Sequence, residues 1–163
     1  MRHQFGIDIT TTTLVLWLVV IASGSLAAQT RSSKSAPAAE IENAIKSKEP
    51  AWELSDKEAQ PKSTIYRWKL GSERVEADVF MMASPSAATD EFKEFIRRMP
   101  VPPKKKLKGL GDEALLWQSP NTSGCMILFH TSTVFFHIDG TSVADAKRFA
   151  KHLDDLFRPS ESH

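Results

Sequence analysis

The chain has 163 residues, with 21 basic and 20 acidic side chains and a formal net charge of +1. This near-neutral balance lacks the positive field that gathers nucleic acid or an anionic membrane, so we expect no nucleic-acid partner and no membrane contact beyond the N-terminal segment. The single cysteine, Cys125, excludes an internal disulfide framework.

The N-terminal segment, residues 1–28, is typical of a secretory signal peptide. Arg2 and His3 come before an apolar run at residues 14–22, and small residues follow around Ala27. An uncleaved anchor is the alternative, but the run is short for the roughly 20 apolar residues that a spanning helix needs. No cysteine stands just after the run, and the only cysteine, Cys125, lies far downstream, so acylation at that point is excluded. We expect an exported protein, periplasmic or secreted.

About 135 residues remain behind the signal peptide, a usual size for one domain. Residues 29–37 are small and polar, which predicts a flexible lead-in, and residues 159–163 are expected to form a disordered tail. Between them we predict a single α+β domain, residues 38–158. It begins with a short amphipathic helix at residues 38–48, which Pro50 ends.

The first half of the domain predicts a hairpin followed by a helix. A short strand is expected around residues 52–54, and residues 63–70 and 74–83 read as hairpin strands joined by a turn at Gly71. The helix over residues 84–99 starts with a Ser-Pro pair, which supplies a preferred N-cap and a preferred first helical residue.

The second half repeats this plan. A short strand at residues 114–118 precedes a hairpin of residues 124–130 and 133–140. A helix follows over residues 142–157 and opens with a capping-box-like serine.

The apolar positions of the two later helices superpose at one offset. Phe92 and Phe149 are 57 residues apart, as are Ile96 and Leu153. We infer an internal repeat of a hairpin-then-helix unit. The expected fold is α+β, an antiparallel sheet with helices packed on one face.

The stretch KGLGDEALLW, residues 108–117, looks most like a motif. A glycine loop that binds phosphate follows a strand and opens a helix, whereas these glycines precede a short extended segment. Asp112 and Glu113 would also repel a phosphate, and adjacent carboxylates on an extended segment point to opposite faces. The ligand pattern of a calcium loop is absent. We therefore predict a turn in which Gly111 needs glycine dihedrals.

The repeated plan and its Gly-Leu-Gly-Asp-Glu-Ala segment, residues 109–114, resemble exported bacterial domains found in envelope lipoproteins and in the extracellular parts of sensor kinases. The resemblance spans about residues 38–157 and implies a binding or sensing module without shared catalytic residues. This chain lacks the lipid-bearing and paired cysteines of many such domains. Its second hairpin turn, residues 130–133, also has no glycine where the family pattern would have one.

Cys125, with His130 or His137 nearby, could suggest a thiol nucleophile and its base. A two-residue turn at Ser132 and Thr133 would place Cys125 on one face of the hairpin and both histidines on the other. We therefore predict a buried and inert cysteine.

The two histidines themselves could suggest a metal site. His130 and His137 share a face and sit diagonally across the hairpin, roughly 7 to 8 Å apart between backbones. The nearest further candidate ligand, Asp139, is assigned to the opposite face, so no third ligand is expected. We predict ordinary strand histidines, and we assign no catalytic, cofactor-binding or metal-binding residue and no cofactor.

Two other groups of residues leave alternatives open. A proline-rich linker carries Lys104, Lys105, Lys106 and Lys108, which reads as a solvated loop or as a patch for an acidic partner or envelope polymer. The aromatic residues either line an apolar ligand pocket or pack in the core; they are Trp52, Trp68, Trp117 and Tyr66.

These observations favour a noncatalytic binding, sensing or accessory module of the bacterial cell envelope, with an unknown small molecule or envelope protein as its partner. The alternatives are a small secreted enzyme, with a hydrolase as the main candidate, and a subunit of an envelope assembly. No nucleophile, base and orienting group stand in a recognisable arrangement, which favours the noncatalytic classes.

Overall fold

A computed structural model describes residues 38–103 and 105–158. The predicted signal peptide, lead-in and tail lie outside the described residues. The elements, in chain order, are α1 (Ala38–Lys48), β1 (Glu53–Ala59), β2 (Thr64–Leu70), β3 (Glu73–Met81), α2 (Pro85–Arg98), β4 (Lys105–Lys106), β5 (Glu113–Gln118), β6 (Cys125–Thr131), β7 (Val134–Gly140) and α3 (Val143–Phe157). None of the helices in these two ranges is long and apolar enough to span a membrane.

The predicted helices and hairpins are present, with two differences at the edges of the sheet. Strand β1 extends to Ala59, whereas the sequence predicted a strand only to about residue 54. The sequence did not reveal its second half because that half is exposed and carries no apolar alternation. Strand β4 was not predicted at all, since its two lysines were assigned to a linker.

Serine side chains cap the two long helices where the sequence signals place them. Ser84 Oγ accepts a hydrogen bond from the Ala87 N–H at 3.1 Å, and Pro85 is the first helical residue of α2. Ser142 Oγ accepts from the Asp145 N–H at 3.4 Å. Each cap satisfies a backbone donor that has no partner within its own helix.

All seven strands form one sheet in the order β1-β2-β3-β7-β6-β5-β4, and every neighbouring pair is antiparallel. The two hairpins meet where β3 pairs with β7, from Val75 opposite Gly140 to Met81 opposite Val134. The predicted α+β class with an antiparallel sheet is therefore confirmed.

The helices, however, lie on both faces of the sheet, and the prediction of one covered face is wrong in this respect. Phe129 and Phe136 belong to a core shared with α1 and α3, whereas Leu128 and Phe135 belong to a second core with Phe92 of α2. We call these the α3 face and the α2 face. Every residue of β6 is buried, so both faces of the central strands need cover.

The core on the α3 face is built around Phe149. Its ring lies 5.0 Å from that of Trp52 and 5.2 Å from that of Trp68, and Tyr66 stacks on Trp68 at 5.6 Å. These three aromatic side chains therefore pack in the core. Trp117 packs at the edge of the other core, on the α2 face, so the four residues do not line one shared pocket.

The order of hairpin then helix does occur twice along the chain. However, α2 and α3 pack on opposite faces of the sheet, so the two hairpin-then-helix units differ in where the helix lies. The internal repeat stays a prediction.

Candidate functional site

The first four residues of the GLGDEA segment bend the chain back toward the sheet, in line with the turn that the sequence predicts. Gly109 and Gly111 have φ angles of +73° and +56°, in the left-handed region that favours glycine. The backbone then returns to the sheet, because the Asp112 N–H donates to the His130 carbonyl at 2.7 Å. A Cβ at Gly111 would lie 2.3 Å from that same carbonyl oxygen. The second glycine is thus required both by its dihedrals and by its close approach to β6.

Asp112 has a structural role that the sequence did not reveal. Its Oδ2 accepts a hydrogen bond from the Ser132 N–H at 3.1 Å. Ser132 takes a positive φ of 51°, which is unusual for a non-glycine residue and occurs in the hairpin turn that lacks a glycine. The carboxylate therefore supports the strained turn from a neighbouring loop.

The positions of Cys125 and the histidines agree with the prediction. Cys125 is 4% exposed in the core on the α3 face, and burial raises the pKa of its thiol. Both histidines lie on the α2 face, where the ring of Phe92 is 5.2 Å from that of His130 and the ring of Phe95 is 5.1 Å from that of His137. The thiol and the imidazoles are therefore separated by the sheet.

Asp139 lies on the same face as His137, so its assignment to the opposite face was wrong. Residues two apart on a strand share a face, and His137 Nε2 lies 3.0 Å from Asp139 Oδ2. His130 is 6% exposed, and its Nδ1 lies 3.6 Å from Asp112 Oδ2 without a hydrogen bond. Within residues 38–103 and 105–158, no three His, Cys, Asp or Glu side chains are arranged to hold a metal ion.

His137 belongs to a cluster of four titratable side chains at the centre of the sheet. Asp78 is directly opposite His137, and Glu76 is directly opposite Asp139, so the four form two cross-strand pairs on the α2 face. Asp78 Oδ1 is buried and has no hydrogen-bond partner among the described residues, and burial is the main cause that raises the pKa of this carboxyl. We call Glu76, Asp78, His137 and Asp139 the His137 cluster.

The charges of this cluster act on the imidazole. Burial by itself lowers the pKa of His137, but the hydrogen bond to Asp139 and the charges of Asp139, Asp78 and Glu76 together outweigh it. The pKa of His137 is therefore raised above its ordinary 6.5, and the folded protein favours the imidazolium.

We predict that folding stability depends on pH through His137. A raised folded-state pKa contributes stability that is fully present below the unfolded pKa and is lost as pH rises through the folded pKa. In urea unfolding, the advantage of the wild type over His137→Gln should therefore be largest near pH 5 and shrink above neutral pH. An NMR titration of the His137 ring should give a pKa above 6.5.

Asp139→Asn serves as the control, because it removes the negative charge beside His137 while keeping the shape of the side chain. This variant should lower the pKa of His137 and flatten the pH dependence. An advantage of the wild type that is constant or grows with pH would contradict the prediction.

A groove lies at the end of the sheet where β2 begins and β3 ends, beside the first turn of α2. Its volume is about 570 Å³. Seven of its eleven lining residues are apolar, and the other four are Lys62, Ser63, Thr64 and Glu91. We call it the α2 groove, lined by residues 61–64, 79–83, 87 and 91.

The α2 groove was not foreseen in the sequence. The only available signal was the pair Met81 and Met82, which follows the clean alternation of β3. Met81 is 41% exposed at the end of β3.

Compared with known proteins, the chain matches no family model, no curated protein and no solved structure.

Proposed function

We propose that the protein is an exported, noncatalytic binding or sensing module of the bacterial cell envelope, and that the α2 groove is its ligand site. The observation that carries this proposal is a concave, mostly apolar groove of about 570 Å³, a size typical of small-molecule sites. The signal-peptide pattern of residues 1–28 and the resemblance to envelope domains support export. A flat apolar face would instead have favoured the assembly subunit.

The walls of the groove indicate the chemistry of the ligand. Phe80, Met81 and Met82 supply an apolar surface, and methionine side chains adapt to irregular shapes because they are unbranched and polarisable. Lys62 and Glu91 supply charged groups of both signs in the lining. The ligand we propose is a small, mainly apolar molecule with a polar end.

A bulky residue in the groove tests this proposal. Ala87 lines the groove from α2, so Ala87→Trp should fill much of it and abolish binding of the neutral apolar dye N-phenyl-1-naphthylamine. Dye fluorescence is measured on the full chain of both proteins. Because both carry the same N-terminal segment, a difference between them reports on the groove.

Ser86→Trp is the matched control, since Ser86 is exposed in the same helical turn and does not line the groove. This variant should bind the dye like the wild type. Equal dye binding by the Ala87 variant and the wild type would overturn the assignment of the groove.

A further inference from the structure

Lysines from two distant parts of the chain converge on a small hollow between α3 and the loop that follows β4. Its volume is about 190 Å³, and its lining residues are Leu107, Lys108, Gly109, Leu110, Lys147 and Lys151. We call it the lysine hollow. We propose that the lysine hollow is an anion site that takes a phosphate group, carried either by a soluble molecule or by a lipid headgroup. The proposal is independent of the α2 groove, which lies on other residues.

The fold places three lysine residues around one hollow. Lys108 belongs to the lysine-rich linker, whereas Lys147 and Lys151 are one turn apart on α3 and so share a helix face. All three side chains are on exposed residues, and the apolar side of the hollow comes from Leu107 and Leu110. A linker lysine thus meets helix lysines that lie about 40 positions further along the chain.

The local charge stays positive when the acidic neighbours are included. Lys151 Nζ lies 2.6 Å from Asp155 and 3.7 Å from the buried Asp154. Lys48 and Arg158 share these same two carboxylates, at 3.8 Å and 2.7 Å. With Lys108 and Lys147, these neighbours amount to five cationic side chains against two carboxylates. Lys108 and Lys147 make no ion pair with any residue that the structure describes.

The carboxylates that argued against a phosphate at the glycine loop are directed elsewhere. Asp112 accepts a hydrogen bond from the Ser132 N–H, and Glu113 Oε1 lies 3.7 Å from Lys106 Nζ. Neither lines the lysine hollow. The repulsion of a phosphate by Asp112 and Glu113 therefore acts outside the hollow. In a glycine-rich phosphate loop a helix N-terminus supplies the positive charge, whereas lysine side chains supply it here.

Two of the lining residues also offer backbone donors. The loop at Lys108 and Gly109 is exposed and bends without a hydrogen-bonded turn. In the part of the chain that the structure describes, neither N–H donates to a protein acceptor. Backbone N–H groups beside ammonium groups are a common way to hold a phosphate, whose oxygens accept several hydrogen bonds.

Protection of the sheet edge does not account for this arrangement. Lys105 and Lys106 lie on the edge strand β4, where lysines discourage pairing with another chain. Lys108 follows the strand, and Lys147 and Lys151 are helical. The three lysines of the hollow therefore lie outside the edge strand, and protection of the sheet edge does not explain their positions.

Titration with inorganic phosphate at constant ionic strength tests the site. Amide NMR signals of Gly109 and of Lys147 should shift in a saturable way, whereas sodium chloride should not reproduce the shifts. Lys147→Ala should weaken phosphate binding about two- to fivefold, and adding Lys108→Ala should bring the loss to about tenfold, as expected for exposed charge pairs. Lys93→Ala is the matched control, since Lys93 is an exposed lysine of α2 and lies outside the hollow.

Vesicles distinguish the two sources of phosphate. If the full chain sediments with phosphatidylglycerol vesicles and the charge-reversed Lys108→Glu/Lys147→Glu variant does not, the site takes a lipid headgroup. Saturable phosphate shifts without such vesicle binding assign it to a soluble phosphate. The variants carry the same N-terminal segment, so that segment cancels from the comparison. No saturable shift together with no lysine-dependent vesicle binding, or effects equal to those of Lys93→Ala, would overturn the proposal.

Discussion

Leu153→Ala is expected to lower the free energy of unfolding by about 2 to 5 kcal/mol. Leu153 lies on α3, is 0% exposed and packs in the core on the α3 face. The loss combines the transfer free energy of the deleted methyl groups with a cavity that the surrounding core cannot fully close. Urea unfolding monitored by tryptophan fluorescence measures it.

Leu70→Ala is the matched control, because it is the same substitution at a residue that is 42% exposed at the end of β2. It should change the stability by about 0.5 kcal/mol or less. A loss of that small size for the Leu153 variant would show that α3 presents a different face to the sheet.

Gly111→Ala should also destabilise the fold, by about 2 to 5 kcal/mol. A left-handed φ costs an L-residue roughly 1 to 2 kcal/mol, and forcing an atom into a filled space costs about 1 to 3 kcal/mol more. Here the added Cβ would lie 2.3 Å from the backbone oxygen of His130, which cannot move without shifting β6. Denaturant unfolding of the variant gives the loss directly.

Gly109→Ala separates the two causes. Gly109 has a similar φ of +73°, but no described residue has an atom within 4 Å of a Cβ added there, so only the strain of about 1 to 2 kcal/mol should remain. Asp112→Asn should leave stability within about 0.5 kcal/mol, because the amide oxygen can still accept from the Ser132 N–H. Equal losses for the two glycine variants would mean that the contact with His130 is not restrictive.

Local features of this fold could be predicted from the sequence because their causes lie within a few residues. The alternation of Val75, Ala77 and Val79 predicts one buried face of β3, and all three are buried. Ser84 and Ser142 predict where the long helices begin, since a cap depends only on the next three residues. The same holds for the glycine dihedrals of the loop and for the buried side of Cys125.

The candidate sites were less predictable because each joins separate segments. The His137 cluster depends on the register of β3 against β7, which places Asp78 opposite His137. The α2 groove depends on where α2 turns back over the sheet, and the lysine hollow depends on α3 lying beside the loop after β4. Of these features, the sequence pointed only to the lysine run, without its partners on α3.

By itself, the sequence determined the types of the helices and hairpins, their caps and turns, and the α+β class, because periodicity and backbone preferences act locally. Only the tertiary structure decided that α2 and α3 cover opposite faces. The reason lies in strands β6 and β7, which carry large apolar side chains on both sides, such as Phe135 and Phe136. Each of the two apolar faces must be covered by a helix. Which helix packs on which face depends on the path of the chain over the sheet edge, and no local sequence pattern specifies that path.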